Sequence, residues 1–235
     1  MDLTQLSPDE VVYWTWGPIE FNATIVFTWG VMALMILGAW LLSRRITAAT
    51  DIPRSQNLVE VAVDYMVDQI REISGGDRPG PYLPFIGTLF GFIAVANLFT
   101  IVPGYLPPTA SLSTTTALAL AVFAAVPLFG IVREGTGTYL RHYVEPTPLM
   151  LPFNIIGELS RTLALAVRLF GNVMSGTKIV AVLVAVIPFF IPIVFRAFGV
   201  ITGLIQAYIF AVLAMVYIAS GMRATEDDAD ATTDS

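Results

Sequence analysis

No charged residue occurs between Pro79 and Gly130, and the uncharged run continues to Arg133. The run is too long for one membrane helix, and the segment PGYLPPTASLSTTT divides it. Because proline-rich polar segments interrupt helices, we predict two spans, at residues 83–102 and 115–132. The chain is 56% hydrophobic and 13% charged, whereas soluble domains average about 25% charge. These features predict an all-α polytopic membrane protein.

The N-terminal third is predicted to contain one further span and one amphipathic helix. Residues 1–20 are expected to lie outside the cell. Residues 21–43 are long enough to cross a bilayer at about 1.5 Å per residue. Residues 56–73 repeat apolar side chains at helical spacing, opposite acidic ones. Such a helix is too polar to span and is expected on the cytoplasmic surface.

The last third predicts a long helical hairpin, which brings the number of spans to about five. Residues 151–187 and 193–221 are apolar and are separated by a bend at Pro188 and Pro192. Each exceeds the roughly 20 residues of a perpendicular span, which predicts steep tilt. Residues 222–235 form an acidic tail that we expect to be irregular and solvated. No internal repeat divides the chain, so we predict one membrane domain.

Basic residues indicate the orientation. Those that follow the predicted spans on one side are Arg44, Arg45, Arg54, Arg133 and Arg141. Because cytoplasmic flanks carry the excess of Arg and Lys, the N-terminus is predicted outside and the C-terminus in the cytoplasm. The first positive charge is Arg44, so a cleaved signal peptide is not expected.

Several classes of chemistry have no sequence support. There is no cysteine, which excludes disulfides and thiolate metal sites. No Walker loop, HExxH motif or Ser/His/Asp constellation occurs, and no cofactor, metal or nucleic acid is expected to bind. Asn97 is the only strongly polar residue of its predicted span, and we expect it to cap or bond a neighbouring helix. His142 is expected to be a loop residue rather than a ligand.

Arg168 is the residue that most strongly suggests a function. It lies in the apolar segment 154–176, and no Asp or Glu occurs from Leu159 to Thr225. An arginine within a membrane is costly and normally lines a water-filled path or faces a counter-charge. Beyond Glu158, the chain offers no carboxylate in the rest of that helix or in the next predicted one. We therefore expect the partner carboxylate on another protein.

Small and polar residues surround this arginine on its predicted helix face. The residues three, four and seven positions away are Arg161, Ala164, Leu165, Gly171, Asn172 and Ser175. On the following helix, Gln206 shares a face with Gly199, Thr202, Gly203 and Phe210. An antiparallel pair would set Gln206 beside Arg168, where it could hold the guanidinium by hydrogen bonds. Ordinary helix packing and an interhelical hydrogen bond remain the alternative interpretations.

The segments PFNIIGELSR, LALAVRLFGN and GLIQAYIFAVLAMVYIA resemble the membrane-embedded a subunit of F-type ATP synthases over nearly the entire chain. The resemblance implies a non-catalytic, ion-translocating subunit of a prokaryotic plasma membrane. Its partners would be the c-ring, the peripheral-stalk b subunits and membrane lipid. Arg168 matches the essential stator arginine, and the other matching positions are Asn172, Gln206, Tyr217 and, near the cytoplasmic access path, Glu158.

The resemblance also implies a mechanism. Ions would enter by one aqueous half-channel, bind a c-subunit carboxylate, travel with the ring and leave by the other half-channel. Arg168 would prevent a direct leak and attract each carboxylate as it loses its ion. The coupling ion would be H⁺ or Na⁺.

Some positions depart from the pattern of the family. Where many members carry a Glu/His pair in the outer half-channel, this chain has Thr177 and Gly199. An acid common before the third span is replaced by Ser111, and a proline by Thr162. Lys178 either snorkels to the interface or tunes the outer half-channel. Thr177 and Ser175 are therefore candidate polar groups of a path that lacks a titratable relay.

The segments SPDE, ATIVFTW, LPFIGTLF and TIVPGYLPPT look most like the N-type branch, whose c-rings often have sodium-type sites. This favours Na⁺ over H⁺. Two alternative functions do not involve a rotating ring. A stand-alone secondary transporter would use Arg168 to bind an anionic substrate and would show inverted repeats, which are not visible. A purely structural membrane protein would tolerate the loss of Arg168.

Overall fold

Six α-helices and one short β-hairpin make up the secondary structure of the chain as far as it is described. The computed structural model describes residues 7–16, 19–44, 54–75, 79–102, 104–136, 150–187 and 191–233. The strands are β1 (Val12–Trp16) and β2 (Ile19–Asn22). The helices are α1 (Ala23–Ser43), α2 (Arg54–Ser74), α3 (Leu83–Leu98), α4 (Leu112–Glu134), α5 (Met150–Val186) and α6 (Ile191–Thr233).

Five of these six helices, all except α2, are long and apolar enough to cross a membrane. The predicted fold class of five membrane helices plus one amphipathic helix is confirmed. Its apolar outer surface is consistent with lipid contact, because large side chains such as Trp29, Ile36 and Leu128 are exposed. In water such a surface would aggregate, whereas hydrocarbon chains cover it at no cost.

The N-terminal segment contains a β-hairpin, for which no prediction was made from the sequence. Strands β1 and β2 pair antiparallel, with Val12 opposite Asn22 and Trp14 opposite Phe21. Aromatic and β-branched residues favour this extended conformation. The side chain of Asn22 then accepts a hydrogen bond from the backbone N–H of Ile25 at 3.1 Å. This contact caps α1 and joins the hairpin to the first span.

Local structure marks where the second span ends and the third begins. Helix α3 stops at Leu98 and continues as a 3-10 turn over Phe99–Ile101. Helix α4 starts at Leu112, because the Ser111 hydroxyl accepts a hydrogen bond from the backbone N–H of Thr114 at 3.5 Å. The predicted start at residue 115 therefore lay one turn too late.

Helix α2 lies against the spans as an amphipathic helix. Its acidic residues Glu60, Asp64 and Asp68 are exposed, whereas Ile70 is buried. At the exposed edge of this contact, the Tyr208 hydroxyl of α6 donates a hydrogen bond to Gln69 Oε1 at 2.8 Å. Of the apolar stripe read from the sequence, Met66, Ile70 and Ile73 pack on the core of the same chain, whereas Val63 is exposed.

Small residues allow the central helices to approach closely. The alanines Ala96, Ala119, Ala207 and Ala214, from α3, α4 and α6, are fully buried. Because lipid offers no hydrophobic drive for association, close van der Waals contact between small residues holds membrane helices together. Helix α6 packs against α2, α3, α4 and α5 and is the central helix of the bundle.

Helices α5 and α6 pair as the predicted hairpin, with membrane spans of 35 and 31 residues. Pro188, at the predicted bend, lies outside the described residues. The expectation of an irregular acidic tail from residue 222 is corrected, because α6 continues to Thr233. No proline or glycine follows Gly221, and the residues that do follow include several good helix formers.

Candidate functional site

Arg168 projects from the middle of α5 on the side that the rest of the chain leaves open. Leu165, Ala166 and Leu169 are buried and attach the neighbouring side of α5 to the bundle. The Arg168 side chain is exposed. Within the described part of the chain it forms no hydrogen bond or ion pair. The guanidinium thus carries its charge at mid-helix without an internal partner.

A stripe of small residues runs along the same open side of α5. Ala164, Gly171 and Ser175 are exposed, and a Cβ added at Gly171 would meet no atom of the chain within 4 Å. A surface this smooth allows another helix to come close to the Arg168 backbone. The predicted stripe is therefore present and uncovered.

The register of the hairpin places Gln206 at the level of Arg168. The side-chain amide of Asn172 on α5 donates a hydrogen bond to the backbone carbonyl of Thr202 on α6 at 3.3 Å. Arg168 lies four residues before Asn172, and Gln206 lies four residues after Thr202. Because the helices are antiparallel and rise equally per residue, positions 168 and 206 lie opposite one another.

The hydrogen bond that Gln206 could have made to Arg168 is not formed. Gln206 is buried, and its Nε2 has no partner among the described residues. Arg168 points outward instead. An unpaired amide in the membrane interior costs free energy. Gln206 is thus a buried polar group that sits one helix away from the exposed charge.

A second arginine on α5 has partners within the chain. Arg161 Nη1 lies 3.9 Å from Glu158 Oε2. The Arg161 guanidinium also lies over the Tyr217 ring, 5.7 Å from its centroid. Glu158 and Tyr217 therefore meet at Arg161, two turns from Arg168. The contrast matters because the same residue type is partnered at one position and unpartnered at the other.

The polar residues beyond Arg168 are satisfied by their own helix. Ser175 Oγ donates to the Asn172 carbonyl at 3.1 Å, and Thr177 Oγ1 donates to the Val173 carbonyl at 2.9 Å. A Cβ added at Gly199 would meet nothing within 4 Å. Lys178 is exposed. His142 lies outside the described residues.

Two interhelical contacts carry polar groups that sequence reasoning did not connect. Asn97 Nδ2 of α3 donates to the Gly203 carbonyl of α6 at 3.3 Å, which confirms that Asn97 bonds a neighbouring helix. Thr109 donates to Asn97 Oδ1 at 3.4 Å. Elsewhere, the Asp9 carboxylate accepts hydrogen bonds from Ser111 and Thr24. The contact of Asn97 could be anticipated from the sequence, because a lone asparagine in an apolar span needs a hydrogen-bond partner.

The contact of Asp9 could not be anticipated from the sequence, since its partner Ser111 is 102 residues away along the chain. Tyr105, in the segment that precedes Ser111, packs edge-on against Phe27, with ring centroids 4.9 Å apart. Burial raises the pKa of the Tyr105 phenol well above its usual range, so its hydroxyl stays protonated. In the described part of the chain, no three His, Cys, Asp or Glu side chains group as a metal site would require.

Comparison with known proteins gives one consistent result. A family model described as "ATP synthase A chain" matches residues 25–219. The chain is 57% identical over 219 residues to "ATP synthase subunit a 2" of Acaryochloris marina, with 93% of each chain covered. It is 55% identical over 219 residues to "ATP synthase subunit a" of Albidiferax ferrireducens, covering 93% and 94% of the two chains. It is 55% identical over 221 residues to "ATP synthase subunit a 1" of Chlorobaculum parvum, covering 94% and 97%.

Proposed function

The chain belongs to the ATP synthase A chain family, and from this premise we propose how its residues move ions. As a member of that family it is the a subunit of Fo, the membrane sector of an F-type ATP synthase. We propose that Arg168 is the fixed charge that each ion-binding carboxylate of a rotating c-ring meets. In this proposal it also separates two ion half-channels.

The observation that carries the proposal is the exposed, internally unpartnered guanidinium in a membrane-spanning helix. A bare charge in hydrocarbon is unfavourable by several kcal/mol or more. A c-subunit carboxylate that has lost its ion would offset this cost and would in turn be stabilised as an anion. The attraction is strong only while the carboxylate is empty, so the ring is held at the point of ion exchange.

The exposed stripe of Ala164, Gly171 and Ser175 would provide the contact surface for the ring. Short side chains let a passing c-subunit helix approach without a steric barrier. Arginine suits this position because it remains charged in apolar surroundings, where lysine can deprotonate. Each ion that crosses gains about 2.3 kcal/mol per 100 mV of membrane potential, and the ring would convert this into rotation.

Access would come from the two sides of Arg168. Glu158 and Arg161 lie toward the cytoplasmic side of α5, and Asn172, Ser175 and Thr177 lie toward the outer side. This assignment follows from an N-terminus outside and a C-terminus in the cytoplasm, as the basic flanks of α1 and α4 favour. Five spans place the two ends on opposite sides, which agrees with that orientation.

We further propose that the spans and α2 act as one membrane domain in a prokaryotic plasma membrane. Peripheral-stalk b subunits would hold this domain static while the c-ring turns. The sequence pattern favours the N-type branch and Na⁺ as the coupling ion, with H⁺ as the alternative. Family membership removes the reason to consider a stand-alone transporter or a purely structural role.

The test uses inverted membrane vesicles that contain the whole complex. We compare wild type, Arg168→Ala and Arg161→Ala for ATP-driven uptake of H⁺ and of Na⁺. Arg161 is the matched control, since it has the same residue type on the same helix but has internal partners. We expect Arg168→Ala to lose at least roughly 100-fold in pumping with the complex still assembled, because an interaction of several kcal/mol is removed.

Arg161→Ala is expected to keep most of its pumping. Sodium dependence in the wild type would identify Na⁺ as the coupling ion. Normal coupled pumping by Arg168→Ala would refute the proposed role of the arginine.

A further inference from the structure

The Asp9 carboxylate occupies a polar site between the N-terminal segment and the start of α4. Thr24 Oγ1 donates to its Oδ1 at 2.6 Å, and Ser111 Oγ lies 2.8 and 2.7 Å from Oδ1 and Oδ2. Ser111 and Thr24 are both buried. These partners are neutral hydroxyls, and no cation pairs with Asp9 within the described residues. A half-buried carboxylate therefore has hydroxyl partners and no cationic partner among the described residues.

Between this site and the level of Arg168 lies a set of buried and half-buried polar residues, which we call the outer polar line. It consists of Asp9, Ser111, Thr109, Asn97 and Asn172. Ser111 and Thr109 are two residues apart, and Thr109 donates to Asn97. Asn97 and Asn172 then donate to adjacent backbone carbonyls of α6, at Gly203 and Thr202, each at 3.3 Å.

The outer polar line ends one turn from the fixed charge. Asn172 is four residues beyond Arg168, about 6 Å along the axis of α5. Thr24, Asn97, Thr109 and Ser111 also make up most of the buried polar side chains of the described chain. Polar groups inside a membrane protein face an aqueous cavity or one another. Here they bond one another and backbone carbonyls, and together they place polar groups along one route between otherwise apolar helices.

The charges along this route make Asp9 the group that a cation would seek. Outward from Arg168, the charged side chains on the described parts of α5 and α6 are Lys178 and Arg196. Both repel cations, and Arg196 also donates to the Thr100 carbonyl at 3.5 Å. Among the described N-terminal residues, the other acids are Glu10 and Glu20, and both are exposed to solvent. The negative charge that lies on the outer polar line in the described structure is therefore that of Asp9.

We propose that Asp9 is the ion-binding carboxylate of the outer half-channel and that the outer polar line forms part of its wall. The proposal rests on the proposed function of Arg168, because it assigns the path by which ions reach that level. The carboxylate and the hydroxyl oxygens of Ser111 and Thr24 are the hard oxygen ligands that Na⁺ binds. The same carboxylate would accept and release H⁺ where H⁺ is the coupling ion.

A simpler role for Asp9 is structural: its hydrogen bonds to Ser111 would hold the N-terminal segment against the start of α4. The variant Asp9→Asn separates the two roles, because it keeps the shape and an oxygen that accepts both hydroxyl hydrogen bonds. It removes only the charge. A structural contact would survive this change, whereas a cation site would lose its affinity for the ion.

The experiment uses the whole complex in proteoliposomes with the outer face of the chain toward the lumen. A fixed potassium diffusion potential drives ATP synthesis while the lumenal Na⁺ concentration, or in parallel the lumenal pH, is varied. For Asp9→Asn we expect a half-saturating lumenal ion concentration roughly tenfold higher, with the maximal rate within about twofold of wild type. Asp9→Glu and the control Glu10→Gln should match the wild type.

A double variant covers the case in which Asp9→Asn does not assemble. Asp9→Ser with Ser111→Asp moves the carboxylate across the same contact and should restore half-saturation to within about threefold of wild type. Unchanged half-saturation in Asp9→Asn, or loss of assembly without rescue by the exchange, overturns the role of Asp9. Arg168→Ala in the same assay tests the proposed function separately: if it abolishes synthesis while Asp9→Asn is unaffected, only the present inference fails.

Discussion

Gly203→Ala tests the tightest glycine contact among the described residues. A Cβ added at Gly203 would lie 2.8 Å from both Cβ and Cγ of Asn97 and 3.2 Å from its Oδ1. Ordinary contact begins at 3.4 Å. Rotating the Asn97 side chain cannot move its Cβ, so α3 and α6 must separate by about 0.6 Å.

The cost follows from that separation. Overpacking a tight contact costs typically 1–3 kcal/mol, and the hydrogen bond from Asn97 to the Gly203 carbonyl, already 3.3 Å long, is weakened as well. We expect a loss of about 2 kcal/mol, which is roughly a 30-fold change in an equilibrium constant. The perturbation should open the α3–α6 contact without touching Arg168.

The absence of cysteine from the chain provides the assay. Ala214 of α6 is fully buried, so a single Ala214→Cys in the assembled complex reacts with a maleimide only when the packing opens. Gly203→Ala should raise the labelling rate roughly 30-fold. The matched control is Gly199→Ala, one turn away, where a Cβ meets nothing within 4 Å. Equal labelling rates in the two variants would refute the steric reasoning.

Three further predictions follow from the same geometry. Gly171→Leu should leave the chain folded but reduce ATP-driven pumping by roughly tenfold or more, because the new side chain intrudes only on the proposed ring contact; normal pumping would count against that surface. Asn172→Ala should cost the hairpin about 0.5–1.5 kcal/mol through loss of its bond to Thr202, measured as faster labelling of Ala214→Cys, and an unchanged rate would deny the bond. The pair Asp9→Cys and Ser111→Cys should form a disulfide on mild oxidation, visible as a gel-mobility shift that either single variant lacks; no shift would mean that the N-terminal segment does not dock there.

The candidate site was partly predictable from the sequence. Arg168 could be identified because an arginine among apolar residues, with no nearby acid, is unusual whatever the surrounding fold. The position of Gln206 opposite Arg168 followed from antiparallel pairing of two adjacent helices. Whether the two residues form a hydrogen bond could not be predicted, because the sequence does not decide whether the Arg168 side chain turns inward or outward.

The sequence by itself determined the number and approximate position of the membrane helices. Hydrophobicity and helical periodicity are properties of contiguous residues, so spans and the amphipathic α2 are visible without any knowledge of packing. Helix ends were less certain, since caps such as Ser111 depend on one side-chain contact. The resemblance to a known family was likewise carried by short contiguous segments.

Only the tertiary structure decided which distant residues meet. Asp9 and Ser111 are 102 residues apart, and Asn97 and Gly203 are 106 apart. No periodicity or composition links such pairs, because their proximity depends on how five helices and the N-terminal hairpin pack together. The exposed Arg168, the narrow contact at Gly203 and the outer polar line are consequences of that packing.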